Sequence, residues 1–180
     1  MALLRGVNVG GKNRVPMDEL RLLFESLGCT DVTTYVQSGN VVFSRPELPS
    51  TADLAEAIRR TFGISSSIVL RDRRSLEQIV AGNPFPGADP VTVHIGFMDR
   101  DTGPDAGRDL GLDPDLRAPE RFVLRESEVY LHLPQGMGRA KLPALLDRRL
   151  PAPVTYRNWS TVTKLLELTG GCADPLHPGS

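Results

Sequence analysis

The sequence predicts an α+β fold of two tandem ferredoxin-like subdomains, each ordered β-α-β-β-α-β and each followed by a trailing helix. Three observations predict it. Strand and helix patterns recur in the same order in both halves, a proline-rich stretch (NPFPGADP, 83–90) divides them, and 180 residues suffice for two small domains. The expected boundaries are 1–83 for the first subdomain, 84–90 for the linker, 91–171 for the second subdomain and 172–180 for a tail.

In the first half, residues 2–9 (ALLRGVNV) read as a strand. Pro16 opens an amphipathic helix in which Leu20, Leu23, Phe24 and Leu27 recur at helical spacing and Gly28 marks the stop. Asp18 and Glu19 fall in its first turn, where the helix dipole favours carboxylates. VTTYVQS and NVVFS form two strands around the hairpin signal Gly39-Asn40. Residues 51–62 form a helix capped by Thr51 or Ser50, ISSSIVL (64–70) is a fourth strand, and RRSLEQIVAG is the trailing helix.

The second half follows the same plan. VTVHIGFM (91–98) alternates, with Val91, Val93, Ile95 and Phe97 on one face. A Gly- and Pro-interrupted helix is expected near 104–112. RFVLRES and EVYLHLP make a hairpin with Val129, Leu131 and Leu133 facing inward. AKLPALLDRRL is a helix, VTYR the last strand and WSTVTKLLELTG the last helix. Helices on one face of each antiparallel sheet are the expected packing.

A chain that is 40% hydrophobic and 24% charged folds as a globule instead of remaining a solvated tail. Lysines and arginines (21) nearly balance aspartates and glutamates (22), which excludes a protein whose whole surface grips nucleic acid and leaves only local basic patches. No apolar run is long enough to span a bilayer, and MALLRGVNVGG lacks the features of a signal peptide. Cys29 and Cys172 form neither a disulfide framework nor a Cys-x-x-Cys pair. A cytoplasmic setting is expected.

Four segments carry a resemblance: LLRGVNVGGKNRVPMDELR, TYVQSGNVVFS, GMGRAKL and YRNWSTVTKLLEL. Together they closely resemble the signatures of an uncharacterised bacterial family, domain-of-unknown-function family 1697, from near Ala2 to near Leu168. The resemblance implies a two-subdomain α+β fold and no established activity. The chain departs from the pattern at Tyr156 (Thr in the family), Ser160 (often Asn) and Ala140 (Ser), so no role is carried over to those side chains.

The residues themselves point to an anion site. Arg5, Asn8, Gly10, Gly11, Lys12 and Asn13 lie in a loop between a strand and a helix, with Arg14 close by and no acid before Asp18. Glycines let backbone N–H groups approach a ligand, and the helix start adds a positive dipole end. The spacing is neither a Walker A loop nor a dinucleotide fingerprint, and a tight Gly-Gly connection with solvated cations explains it as well. Gly138, Arg139 and Lys141 repeat the arrangement before a second helix. Arg157 and Asn158 precede the last helix, where Arg157 is the expected ligand contact, Asn158 a ligand contact or a cap, and Trp159 a core anchor. Gln37 offers an amide on the same strand face as Tyr35, whereas Asn40 is accounted for by turn chemistry.

The expectation is therefore an anionic ligand, a phosphorylated small molecule or nucleotide, held in a cleft between the subdomains. The alternative is a non-catalytic interaction module that docks a protein or RNA partner through its basic loops. RNA ranks lower, because only 6% of residues are aromatic and no RNP-like pair is present. No nucleophile, general base, cofactor or oligomeric state is read from the chain. His94, His132, His177 and Cys29 show no metal-ligand or catalytic spacing.

Overall fold

A computed structural model describes residues 1–47, 49–100 and 117–170. Its elements run β1 (Ala2–Leu4), α1 (Met17–Ser26), β2 (Thr30–Tyr35), β3 (Asn40–Ser44), α2 (Thr51–Phe62), β4 (Ile68–Leu70) and α3 (Arg73–Ala81), then β5 (Val93–Phe97), β6 (Arg121–Arg125), β7 (Glu128–His132), α4 (Leu142–Arg149), β8 (Thr155–Asn158) and α5 (Trp159–Thr169). They form an α+β protein with two four-stranded antiparallel sheets, ordered β2-β3-β1-β4 and β6-β7-β5-β8. The expected helix near 104–112, the tail at 172–180, Cys172 and His177 lie outside the described residues.

Alternation along the strands builds the first core. Ala2 and Leu4 of β1, Val41 and Phe43 of β3, and Ile68 of β4 meet Met17, Leu20 and Phe24 of α1 and Leu54 and Ile58 of α2. The Phe24 and Phe43 rings lie 5.3 Å apart at a tilt. Of the two expected caps of α2, Ser50 and Thr51, Ser50 serves, its Oγ accepting from the Asp53 N–H at 3.0 Å. In the second sheet, Val129, Leu131 and Phe122 pack with Leu142, Leu145 and Leu146 of α4.

Several expectations are corrected. The strand read over 2–9 ends at Leu4, because the chain turns left-handed at Gly6 (φ 69°) and again at Asn8 (φ 55°), which no strand accommodates. The strand read over 64–70 covers only Ile68–Leu70, matching the three residues of β1 that it pairs. Val91 belongs to a 3₁₀ turn (Pro90–Thr92) whose first N–H groups are gathered by Asp89, so it is exposed and off the strand. The sheets do not leave one face open at their centres. Leu3, Val42 and Val69 point away from the first core yet are buried, and so are Val93, Ile95 and Phe97 in the second sheet. Part of that second face is covered by α3 and the turn after it: the Tyr130 hydroxyl donates to the Ile79 carbonyl at 3.0 Å, and Arg125 donates to the Gly82 carbonyl at 2.9 Å. Burial, with the nearby Glu128 carboxylate, pushes the Tyr130 phenol up to about 12.

The chain divides into two units. One comprises Met1–Ser75 with the chain from Leu165 onward, and the other Leu76–Lys164.

Candidate functional site

Strand directions gather the first group of expected residues. β1 runs antiparallel to β3 and β4, and β2 antiparallel to β3. The C-terminal ends of β1 and β2 and the N-terminal ends of β3 and β4 therefore share one end of the first sheet. The loop 5–15, the turn 36–39 and the segment 63–67 all sit there. Arg5 is latched between them, its N–H donating to the Ser67 carbonyl at 2.9 Å and its carbonyl accepting from Ser66 Oγ at 2.9 Å. The Leu4 N–H donates to the Gly39 carbonyl at 2.8 Å. Gly39 has a φ of 70°, and a Cβ there would overlap Val7 and Leu4. That close approach seats the turn bearing Gln37 on the loop bearing Asn8.

The loop is held by its asparagines. The Asn8 carboxamide bonds both backbone groups of Val15, accepting from its N–H and donating to its carbonyl, each at 2.9 Å. The Asn8 N–H donates to the Asn13 carbonyl at 3.0 Å, and Asn13 Nδ2 donates to the Gly6 carbonyl at 3.0 Å. Between them the Lys12 N–H donates to the Val9 carbonyl at 3.1 Å across Gly10 and Gly11, whose φ values of 58° and 75° are those of a primed hairpin turn. Asn8 and Asn13 thus act as staples, and their amides are spent inside the loop. Lys12 and Arg14 are exposed, and among the described residues neither side chain has a partner. The helix α1 starts after an uncapped Pro16, but Asp18 and Glu19 in its first turn already complement the dipole.

Gln37 lies in the turn after β2, where Val36 has a φ of 50°, so its expected strand face with Tyr35 does not exist. It is exposed at the same sheet end as the loop. Asn40 is fully buried and donates to the Tyr35 carbonyl at 2.9 Å and to Ser38 Oγ at 2.8 Å, which pins the turn.

In the second unit, Gly138, Arg139 and Lys141 follow β7, at the sheet end shared by the start of β5 and β6 and the close of β8. Here the helix N-terminus already holds an anion from the chain. Glu120 accepts from the Lys141 N–H at 3.0 and 3.1 Å and from the Leu142 N–H at 2.7 Å. Sequence reading missed Glu120, which lies 21 and 22 residues from those donors and carries no local capping signature. The side chains of Arg139 and Lys141 remain exposed without a partner among the described residues. The two glycine-rich loops are not repeats of each other. One follows the first strand of its sheet and the other follows the third, so in the shared strand order they occupy opposite sheet ends.

Arg157 is 9% exposed on β8, and its guanidinium donates to the Tyr156 carbonyl at 2.8 Å. Burial pulls its pKa down to about 10, which is still charged at neutral pH. On the same strand face Thr155 Oγ1 is buried with no hydrogen-bond partner among the described residues. Asn158 Oδ1 accepts from the Thr161 N–H at 2.8 Å, so Asn158 is the cap of α5. Trp159 is half-buried at the first position of that helix.

Burial raises the Cys29 thiol, which keeps it protonated near neutral pH and a weak nucleophile. Among the described residues no group of three or more His, Cys, Asp and Glu side chains is placed to hold a metal, and no helix is long and apolar enough to cross a membrane.

No curated protein matches the chain. Among solved structures it is similar to the conserved bacterial protein SP0830 from Streptococcus pneumoniae, with a TM-score of 0.66 and 24% identity over 93% of this chain and 96% of that one. At that identity the likeness is one of fold. The family described as "Protein of unknown function (DUF1697)" matches residues 1–130, a span that holds the asparagine-stapled loop and the turn seated on it, and the chain belongs to that family.

Proposed function

We propose that this protein binds an anionic ligand, a phosphorylated small molecule or a nucleotide, at the end of the first sheet where Arg5, Lys12 and Arg14 gather. The observation that carries the reading is the stapled loop: its backbone is fixed by four internal asparagine hydrogen bonds, while among the described residues Lys12 and Arg14 pair with no carboxylate. A rigid loop loses little conformational freedom on binding, so the cations act from fixed positions. The exposed N–H groups of Gly10 and Gly11 add donors beside Lys12. In the second unit, the α4 N-terminus is occupied by Glu120, and Arg157 is buried on β8. The matching strand orders support ferredoxin-like topology for both units, and the reading is set in the cytoplasm.

The test is a thermal-shift and calorimetric screen of the full chain with inorganic phosphate, pyrophosphate, nucleotides, sugar phosphates and a short RNA. A phosphorylated hit is expected to bind about ten-fold more weakly after Lys12→Ala or Arg14→Ala, and to weaken further as salt rises. Silence across the panel at millimolar concentration, or hits indifferent to both substitutions, would remove the reading.

A second reading has its own observation. Val9 and Val36 are 64% and 49% exposed in the loop and the turn at this same sheet end. Aliphatic side chains among cations suit a protein partner with an acidic surface. Co-purification with such a partner, abolished by Val9→Ser with Val36→Ser, would favour it.

A further inference from the structure

A pocket of about 370 Å³ opens in the first unit between α2 and the serines that precede β4. Its volume lies in the range of small-molecule sites. The walls are chemically mixed. Ala52 and Ala55 present a shallow apolar floor, and Ser65 and Ser67 are exposed with side-chain hydroxyls that bond nothing else among the described residues. Glu56 and Arg59 line the same pocket as a two-bond pair, both contacts 2.7 Å. The pocket is joined to the cation loop through the backbone, because Ser66 and Ser67 are the residues that latch Arg5.

We infer that this pocket takes the ring of a sugar, so that the ligand is a sugar phosphate or the sugar-phosphate part of a nucleotide. The assignment rests on the anion reading above for its phosphate and on the pocket alone for its ring. A pyranose or furanose has a C–H face that lies on small apolar side chains, and vicinal hydroxyls that need donors and acceptors spaced along one edge. Ala52 and Ala55 supply the first; Ser65, Ser67 and the outer edges of the Glu56–Arg59 pair supply the second. A purely apolar guest would leave the serine hydroxyls and the ion pair desolvated without compensation. A bare phosphate would meet Glu56, which repels it.

Ribose 5-phosphate, ribose and inorganic phosphate, titrated separately into the full chain and followed by calorimetry and backbone-amide NMR shifts, test it. Ribose 5-phosphate is expected to bind about ten-fold tighter than phosphate and to shift the amides of 65–67. Ala52→Leu, an exposed change to another good helix former that fills the floor, should cancel that advantage and leave phosphate binding intact. Ser67→Ala should reduce it in part. Equal affinity for ribose 5-phosphate and phosphate, both weakened by Lys12→Ala, would overturn the sugar site and leave the anion reading standing. Free ribose shifting residues 65–67 in the unsubstituted chain but not in Ala52→Leu, with no response to phosphate, would keep the sugar site and dismiss the anion reading. No shift at 65–67 with any of the three probes overturns the inference.

Discussion

Asn8 shows how one side chain converts a glycine-rich stretch into a fixed object. Its amide copies the donor and acceptor of a backbone peptide and pairs with Val15 as a neighbouring strand would, in a left-handed conformation that Asn tolerates better than most residues. Asn8→Ala removes both bonds and keeps the strained φ. It is expected to destabilise the protein by about 1–3 kcal/mol in urea unfolding, and to weaken any phosphorylated ligand found in the screen. His94 makes a second prediction at this scale. Burial holds its imidazole pKa below the ordinary 6.5, so the unfolded chain takes up a proton more readily than the folded one. The contribution of His94 to stability is complete above about pH 6.5 and is lost as pH falls from there through its lower folded value. Melting temperatures measured from about pH 7.5 down to about 5 should fall, and the fall should be shallower in His94→Gln.

At the level of elements, the helix ends decide which cations are left for a ligand. α2 is capped by its own Ser50, α5 by Asn158 and α3 by Asp72, whose Oδ1 accepts from the Ser75 N–H at 2.7 Å. Hydrogen bonds from the Ser75 hydroxyl and from this N–H hold the Asp72 carboxyl below the usual range. α4 is different, since its first donors are met by Glu120 from before β6. Glu120→Ala is expected to cost about 0.5–2 kcal/mol and to speed hydrogen exchange at the Lys141 and Leu142 amides, with β1 and α1 unaffected. If the same variant gained affinity for phosphate, the vacated N-terminus would be acting as an anion site that Glu120 normally fills.

Across the whole molecule, the first unit is not a single stretch of sequence. Leu165 is fully buried and is grouped with Met1–Ser75, although α5 begins among the residues of the other unit. A fragment 1–83 lacks that stretch of α5. It should therefore show lower protection of its β1 and β4 amides than the full chain does in hydrogen exchange. Leu165→Ala in the full chain should destabilise by about 2–5 kcal/mol, the range for truncating a buried leucine. A fragment as well protected as the intact protein would show that residues 1–83 are self-sufficient.

Local chemistry was sufficient for much of this protein. The spacing of Leu20 and Phe24 marked α1, Ser50 marked the start of α2, and the alternation of Val129 and Leu131 marked the inner face of β7, because each depends only on neighbours within a few residues. The cations of the first loop were legible too, as was Asn40 in its turn. What sequence could not supply were the pairings between distant residues. Asn8 reaching Val15 closes the loop after β1, Gly39 fits under Val7 only once the sheet has formed, and Glu120 finds the α4 donors across β6 and β7. Arg157, expected as a ligand contact, is buried because β8 sets its side chain on a covered sheet face, and Gln37 moved from strand to turn when Val36 went left-handed. Residue type and periodicity set each element's preference, whereas the ends of strands and the choice between ligand contact and structural staple depend on partners that only the folded sheets bring within hydrogen-bonding distance.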